Sequence, residues 1–206
     1  MSLHVVDHPL AQHLLTGLRN IETTPEQFRR ISRSLSTILV LEATKHVKTK
    51  TEKIMTPLEE TDGPRIDQGL AVVPILRAGL GMLEPALNLF PDVAVGYVGL
   101  ERNEKTAVAH SYYCKLPKLE DRYTLCFDPM LATGGSAVQG LNILKGHGAN
   151  FLAMVCVIAS PEGVEKLQES HPDVTLVVAG VDRGLNDQQY ICPGLGDFGD
   201  RLYGTM

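Results

Sequence analysis

The chain has 206 residues, 44% of them hydrophobic and 21% charged, with no Trp. That length suffices for one well-buried domain spanning residues 1–206, and the composition excludes disordered, collagenous and coiled-coil classes. A formal net charge of −5 argues against a nucleic-acid binder, whose phosphate contacts demand a basic face.

In chain order, residues 1–10 lack a cationic flank with an apolar block, so they are not read as a signal peptide. Residues 9–19 form an amphipathic piece. Thr24-Pro25-Glu26-Gln27 starts a second helix: Thr24 caps, Pro25 suits the first helical position, and Gln27 completes a capping box. Phe28, Ile31, Leu35, Ile38 and Leu39 recur at helical spacing and carry that helix to about residue 44. Two helices ahead of the first strong strand predict an N-terminal helical arm outside the core. From residue 46 to 55, Val47, Thr49 and Thr51 alternate with lysines, the pattern of an exposed ribbon or edge strand. Residues 61–69, with the turn Asp62-Gly63-Pro64, read as loop.

Residues 70–76 are an almost continuous apolar run, as in a central parallel strand. Arg77-Ala78-Gly79-Leu80-Gly81 follows, then a helix carried by Met82, Leu83, Ala86, Leu87 and Phe90. A second apolar run, 93–100, precedes the charged Glu101-Arg102-Asn103-Glu104-Lys105, and residues 102–122 are read as a long flap or hood. Strands follow at 123–127, 151–159 and 174–181, with helices marked by Val138, Leu141 and Leu144 and by residues 161–169. The alternation predicts an α/β fold with a mainly parallel central sheet flanked by helices. Ligands of such sheets sit beyond the C-terminal strand ends, a rule that gathers Arg77, Arg102, Asp128 and Asp182 at one edge. Residues 184–206, rich in Gly, Asp and aromatics, read as an ordered irregular segment covering a ligand. The four cysteines have no metal or disulfide spacing, and no apolar run approaches a membrane span of roughly 20 residues. A soluble, cytoplasmic protein is expected, with no membrane partner.

The strand at 123–127 ends in Asp128 and passes through Pro129-Met130-Leu131-Ala132-Thr133-Gly134-Gly135-Ser136 into a helix. Such a turn leaves backbone N–H groups at the positive end of a helix dipole, where a phosphate belongs. An ordinary turn between strand and helix is the competing reading. No lysine follows the glycines as in a P-loop, and the dinucleotide fingerprint is absent. Thr133 and Ser136 supply hydroxyls, and the glycines let the backbone close in.

This segment resembles the 5-phosphoribosyl 1-diphosphate (PRPP) loop of type I phosphoribosyltransferases, and its form Asp-Pro-Met-Leu-Ala-Thr-Gly-Gly-Ser resembles the uracil phosphoribosyltransferase family. Val73-Pro74-Ile75-Leu76-Arg77-Ala78-Gly79-Leu80-Gly81 agrees with that family. So do Tyr190-Ile191-Cys192-Pro193-Gly194-Leu195-Gly196-Asp197-Phe198-Gly199-Asp200-Arg201 and, near the start, His8-Pro9-Leu10. The resemblance implies transfer of the ribosyl group of PRPP to N1 of uracil, giving UMP and diphosphate in pyrimidine salvage. It implies an oxocarbenium-like transition state and no covalent nucleophile.

The resemblance also distributes roles. Ala132, Thr133, Gly134, Gly135 and Ser136 would hold the 5′-phosphate, with Pro129, Met130 and Leu131 completing the PRPP loop. Asp128 would bind the ribose hydroxyls, and Arg77 and Arg102, with Lys105 nearby, the pyrophosphate. Ile191, Gly196 and Phe198 would contact uracil mainly through main chain, and Asp197 among them would reach the donor or its metal. Asp128, Arg77 and Asp197 are thus the catalytic candidates, and a cis peptide beside Arg77 is implied. Pro129 stands where many type I members carry a second acid. Asp128 is then the only carboxylate there, and Mg²⁺ would ride mainly on the diphosphate rather than on protein ligands. Phe198 stands where members often have Ala, and its larger ring would alter pocket packing while leaving a backbone contact in place. A homodimer or higher homo-oligomer and, as in some relatives, a GTP effector complete what the family implies. Competing readings are a transferase for another base, an RNA-binding regulator that needs a basic face, and a non-catalytic nucleotide module lacking one of the catalytic candidates.

Overall fold

The structure is a computed structural model describing residues 2–102 and 109–205. It opens with β1 (Ser2–Val5), α1 (Pro9–Arg19) and α2 (Pro25–Ala43), whose Thr24–Gln27 capping box makes both of its bonds. β2 (Thr49–Met55) and β3 (Glu60–Ile66), among the described residues, pair only with each other as an antiparallel ribbon. β4 (Gly69–Leu76) leads through a 3-10 turn, Ala78–Met82, into α3 (Leu83–Leu89). β5 (Ala94–Val95) and β6 (Tyr97–Arg102) are divided at Gly96, and β7 (Ala109–Lys115) returns antiparallel to β6. There follow β8 (Arg122–Phe127), β9 (Met130–Leu131), α4 (Gly135–Gly146) and β10 (Phe151–Ala159). The remaining elements are α5 (Pro161–Ser170), β11 (Thr175–Val181), β12 (Gly184–Leu185), β13 (Ile191–Cys192) and α6 (Phe198–Tyr203).

Among the described residues the main sheet runs β1-β11-β10-β8-β4-β6-β7, with β5 beside β4 and β9 beside β10. Every pairing in it is parallel except β6 with β7. As a pleated sheet buried on both faces requires, the apolar strand runs divide by alternation, broken in β10 where Val157 and Ile158 share one cluster. Val72, Leu125, Phe127, Val155, Val157 and Val177 lie on one face; Val73, Cys126, Met154, Cys156, Leu176 and Val178 lie on the other. Ala137, Leu141 and Leu144 of α4 and Leu167 of α5 cover the second face.

The predicted α/β sheet flanked by helices is present, with three corrections. The two helices expected as an N-terminal arm instead cover the first face: Ala11, Leu15, Leu18, Phe28, Leu35 and Leu39 are all buried in its core. Their apolar stripes are too wide to leave in water, and β1 ahead of them adds to the sheet edge beside β11. Residues 61–69, expected as loop, hold β3, where Pro64 is tolerated because the ribbon has no further neighbour at that edge. Much of the expected flap is ordered strand: β7 extends the sheet from Ala109 to Lys115. No helix among the described residues is long and apolar enough to cross a membrane.

Candidate active site

The turns of functional interest open at the C-terminal ends of β4, β8 and β11. β8 ends at Phe127, and the chain then turns without leaving its neighbour. The Pro129 carbonyl accepts from Val157 N at 3.0 Å and Ile158 N at 3.1 Å, and β9 pairs with the end of β10. The Leu131 carbonyl takes Ser160 N at 2.9 Å and the Ala132 carbonyl takes Ser160 Oγ at 2.6 Å. These bonds anchor one side of the turn while its other side faces a small cradle lined by Asp128 and by residues 130–137.

The helix beyond the cradle starts without a side-chain cap, as does α3, which instead continues directly from the 3-10 turn. α1, α2, α5 and α6 are capped by the side chains of His8, Thr24, Ser160 and Asp197. α4 begins after Gly134, which has no side chain to cap with and sits at φ 77°. The first-turn N–H groups of α4 are therefore without a side-chain cap at a positive dipole end.

The turn after β4 is held against the end of β8. A Cβ on Gly79 would lie 2.4 Å from the Phe127 carbonyl oxygen and 3.2 Å from Pro74. Only glycine permits that approach, and it brings Ala78 beside Asp128 on the wall of a groove of ≈ 340 Å³. The Leu76–Arg77 peptide is cis, as the family resemblance implied.

The third wall is the tail. β12 and β13 form a short hairpin whose loop is pinned by the Asn186 side chain, which accepts from Gln188 N at 3.0 Å and Tyr190 N at 2.9 Å. The Cys192–Pro193 peptide is cis, and Gly194 and Gly196 adopt left-handed φ of 66° and 79°. Asp197 caps α6 through Asp200 N at 2.9 Å. Beneath, the Phe198 ring is 1% exposed and meets Phe28 edge-on at 5.1 Å. Arg201 is also buried and donates to the carbonyls of Leu18, Leu195 and Asn20, with its guanidinium 4.6 Å from the Phe28 ring centre.

The groove unites the predicted residues Asp128, Met130, Ala132, Ser136, Ile191, Gly196, Asp197 and Phe198; Leu131, Thr133, Gly134 and Gly135 line the adjoining cradle. Phe198, whose larger ring raised the question of pocket packing, directs that ring into the core. Pro129 is the exception within the loop: it is buried and its carbonyl serves β10. The Arg77 side chain also does not line the groove. It lies 6.0 Å over the Tyr203 ring and 4.0 Å from Asp200, while its carbonyl accepts from Tyr203 Oη at 3.3 Å. Arg102 closes β6, and its side chain, like all of Lys105, lies outside the described residues. Asp182 reaches the same edge but is bound by Arg19.

Ala78, Gln188, Gln189, Tyr190 and Gly199 complete the lining without having been assigned roles. Asn186 was the available signal, since Asn folds its own backbone into such turns. Gln189 gave none, although its φ of 65° is one that non-glycine residues rarely adopt. Burial pushes the thiols of Cys126 and Cys156 up, with the Asp128 carboxylate adding to the shift. Both stay protonated and supply no thiolate nucleophile.

Residues 5–205 match the family model described as uracil phosphoribosyltransferase. The uracil phosphoribosyltransferase of Thermosipho africanus is 47% identical over 100% of both chains. Among solved structures, a protein of Aquifex aeolicus superposes with a TM-score of 0.92 at 38% identity, covering 98% of this chain and 97% of that one. A hypoxanthine-guanine phosphoribosyltransferase of Bacillus anthracis shares the fold, with a TM-score of 0.52 at 11% identity over 79% of this chain and 81% of that one.

Proposed function

This chain belongs to the uracil phosphoribosyltransferase family, and from that premise we propose a division of labour among its residues. The activity is a pentosyl transfer: uracil and PRPP give UMP and diphosphate in pyrimidine salvage. Uracil N1 gives up its proton to solvent and bonds to C1 of the donor as the bond from C1 to the pyrophosphate oxygen breaks, its electron pair leaving with the diphosphate. No protein nucleophile enters, so catalysis consists of orienting two substrates and stabilising the departing charge.

The observation that carries the assignment is the convergence of the Asp128 turn and the 191–198 segment on one groove. In this reading the uncapped start of α4, with Thr133 and Ser136, takes the 5′-phosphate. Asp128 takes the ribose hydroxyls. Ile191, Gly196 and Phe198 offer main-chain groups to the acceptor–donor–acceptor edge of uracil. Asp197 faces the donor. Arg77 and Arg102 take the pyrophosphate, which for Arg77 requires leaving Asp200 and Tyr203. A guanidinium 64% exposed is free to make that move.

The family generally uses Mg²⁺ with PRPP, where the ion screens the donor's phosphate charge. Among the described residues no three His, Cys, Asp or Glu side chains converge as a cage. The carboxylates of the groove lining are Asp128 and Asp197. That donor set fits an ion arriving chelated by the diphosphate.

The proposal extends to one domain over residues 1–206, supported by a sheet that takes strands from Ser2 to Val181. It extends also to a cytoplasmic homodimer or higher homo-oligomer. Support for assembly comes from the β2–β3 ribbon, which joins no other strand and exposes Met55 and Leu58. A GTP effector rests on the family resemblance and is tested by adding GTP at fixed substrate. The decisive assay incubates the protein with PRPP, Mg²⁺ and each nucleobase in turn. UMP from uracil is expected; product from a purine with none from uracil would overturn the specificity.

A further inference from the structure

The segment read above as the base site is held by an ion pair outside the groove. Arg19, the last residue of α1, forks onto Asp182 just beyond β11: Nη1 lies 2.8 Å from Oδ2 and Nη2 2.5 Å from Oδ1. Both partners also grip Gly194. Arg19 Nη1 donates to the Gly194 carbonyl at 2.8 Å, and Gly194 N donates to Asp182 Oδ2 at 2.9 Å. The Asp182 side chain is 4% exposed and that of Arg19 26%. Asp182 is itself fixed to the sheet, its N–H bonded to the Ala159 carbonyl at 2.8 Å.

Gly194 lies between Ile191 and Gly196, in a conformation that nothing else could occupy. Its φ is 66°, and a Cβ there would sit 2.1 Å from the Ile191 carbonyl oxygen. A segment that recognises a base through main-chain groups has no side chains by which to aim itself. Its aim must come from whatever holds its peptides. Here the N–H and the C=O of one residue are each held by a member of one part-buried, bidentate pair. A bidentate guanidinium fixes direction as well as distance, which a point-charge ammonium does not.

We infer that Arg19 and Asp182 are positioning residues for base recognition, setting the main-chain edge of residues 191–196 from outside the groove. The inference rests on the proposed reading of that segment as the uracil site. Neither residue lines the groove. Loosening the pair therefore weakens capture of the base while leaving the phosphate cradle, on a different turn, intact.

The test measures KM for uracil and for PRPP, kcat and thermal unfolding in Arg19→Lys, Asp182→Asn and Gly194→Ala. Arg19→Lys keeps the charge but loses the fork. Its uracil KM should rise about tenfold, with PRPP KM within about twofold of the parent. Asp182→Asn, near-isosteric, should show the same split and decides the matter if Arg19→Lys does not fold. Unchanged uracil KM in a folded variant, or both KM values rising together, would overturn the inference. Gly194→Ala separates the two layers, because it displaces the segment directly. If it raises uracil KM while the ion-pair variants do not, the base site stands and the positioning role falls. If it leaves uracil KM untouched, the reading of the segment itself fails.

Discussion

Replacing Gly79 by Ala tests whether the turn after β4 and the end of β8 are set by direct backbone contact. The new Cβ would have to gain about 0.6 Å, the gap between 2.4 Å and the 3.0 Å that real Cβ contacts respect. The obstacle is a main-chain oxygen, with Pro74 3.2 Å away on the opposite strand end, so no side-chain rotation relieves it. The Arg77–Ala78 turn and the Phe127–Asp128 step must separate. Overpacking of this kind costs about 1–3 kcal/mol of stability. A displacement near 1 Å at a reacting centre costs roughly 100-fold in rate, so a loss of about 10–100-fold in kcat/KM is expected. Gly146→Ala is the matched control: nothing lies within 4 Å of the Cβ position at the end of α4. It should leave kcat/KM unchanged and raise stability by up to about 1 kcal/mol. The assay is UMP formation beside urea denaturation of both variants. Gly79→Ala within threefold of the parent in kcat/KM would refute the claim that this contact positions the site.

Asp128→Asn should lower kcat/KM by about 10–100-fold through loss of charge-assisted bonds to the ribose, with a melting temperature close to the parent; unchanged turnover would remove Asp128 from the site. Phe198→Ala should cost about 3–5 kcal/mol, or roughly 6–20 °C in Tm, because the ring is core packing on Phe28. The folded variant should still prefer uracil over other bases, and a switch in base preference would contradict the main-chain reading. Ser36 is buried with no hydrogen-bond partner for its hydroxyl among the described residues, so Ser36→Ala should be neutral or stabilising by up to about 1 kcal/mol in the urea midpoint. Burial lowers the His171 pKa, its Nε2 already faces the Val138 carbonyl at 3.2 Å, and its Nδ1 lacks a partner. The unfolded chain therefore binds the proton more readily, and the contribution is whole above the unfolded value of 6.5. It is lost as pH falls below that towards the folded value. The urea midpoint of the parent should drop between pH 7.5 and 5 more steeply than that of His171→Gln, and parallel curves would exclude His171.

The central strands were legible because burial on both faces leaves an unbroken apolar run, and residues 151–159 carry that signal into β10 without loss. The turn from β8 into α4 was legible because its glycines and hydroxyls mark a helix start. What could not be read was tertiary. The stripe of Phe28, Leu35 and Leu39 predicts a helix but not the surface it covers, so α1 and α2 were expected outside a core they complete. Pro64 suggested a break, whereas a two-stranded ribbon has room for it. At position 198 a large ring beside a predicted pocket suggested a changed pocket, and only its contact with Phe28 revealed the opposite orientation. The approach of Arg19 to Asp182 spans most of the chain, and no local pattern announces it.

The tail joins the body at a site made long before it. Arg201 bonds to carbonyls of Leu18 and Asn20, and Phe198 packs on Phe28, so the base wall is fastened to the first two helices. Domains emerge from the ribosome N-terminus first. A nascent chain past β11 already holds the β8–α4 turn on β10 and Ser160 but lacks residues 191–198, the segment proposed to receive uracil. Its exposed anchor, the open ring of Phe28 and the bare carbonyls of Leu18 and Asn20, waits for residues 195–201. Docking of that segment therefore completes the core around Phe28 and the proposed base wall with the same contacts.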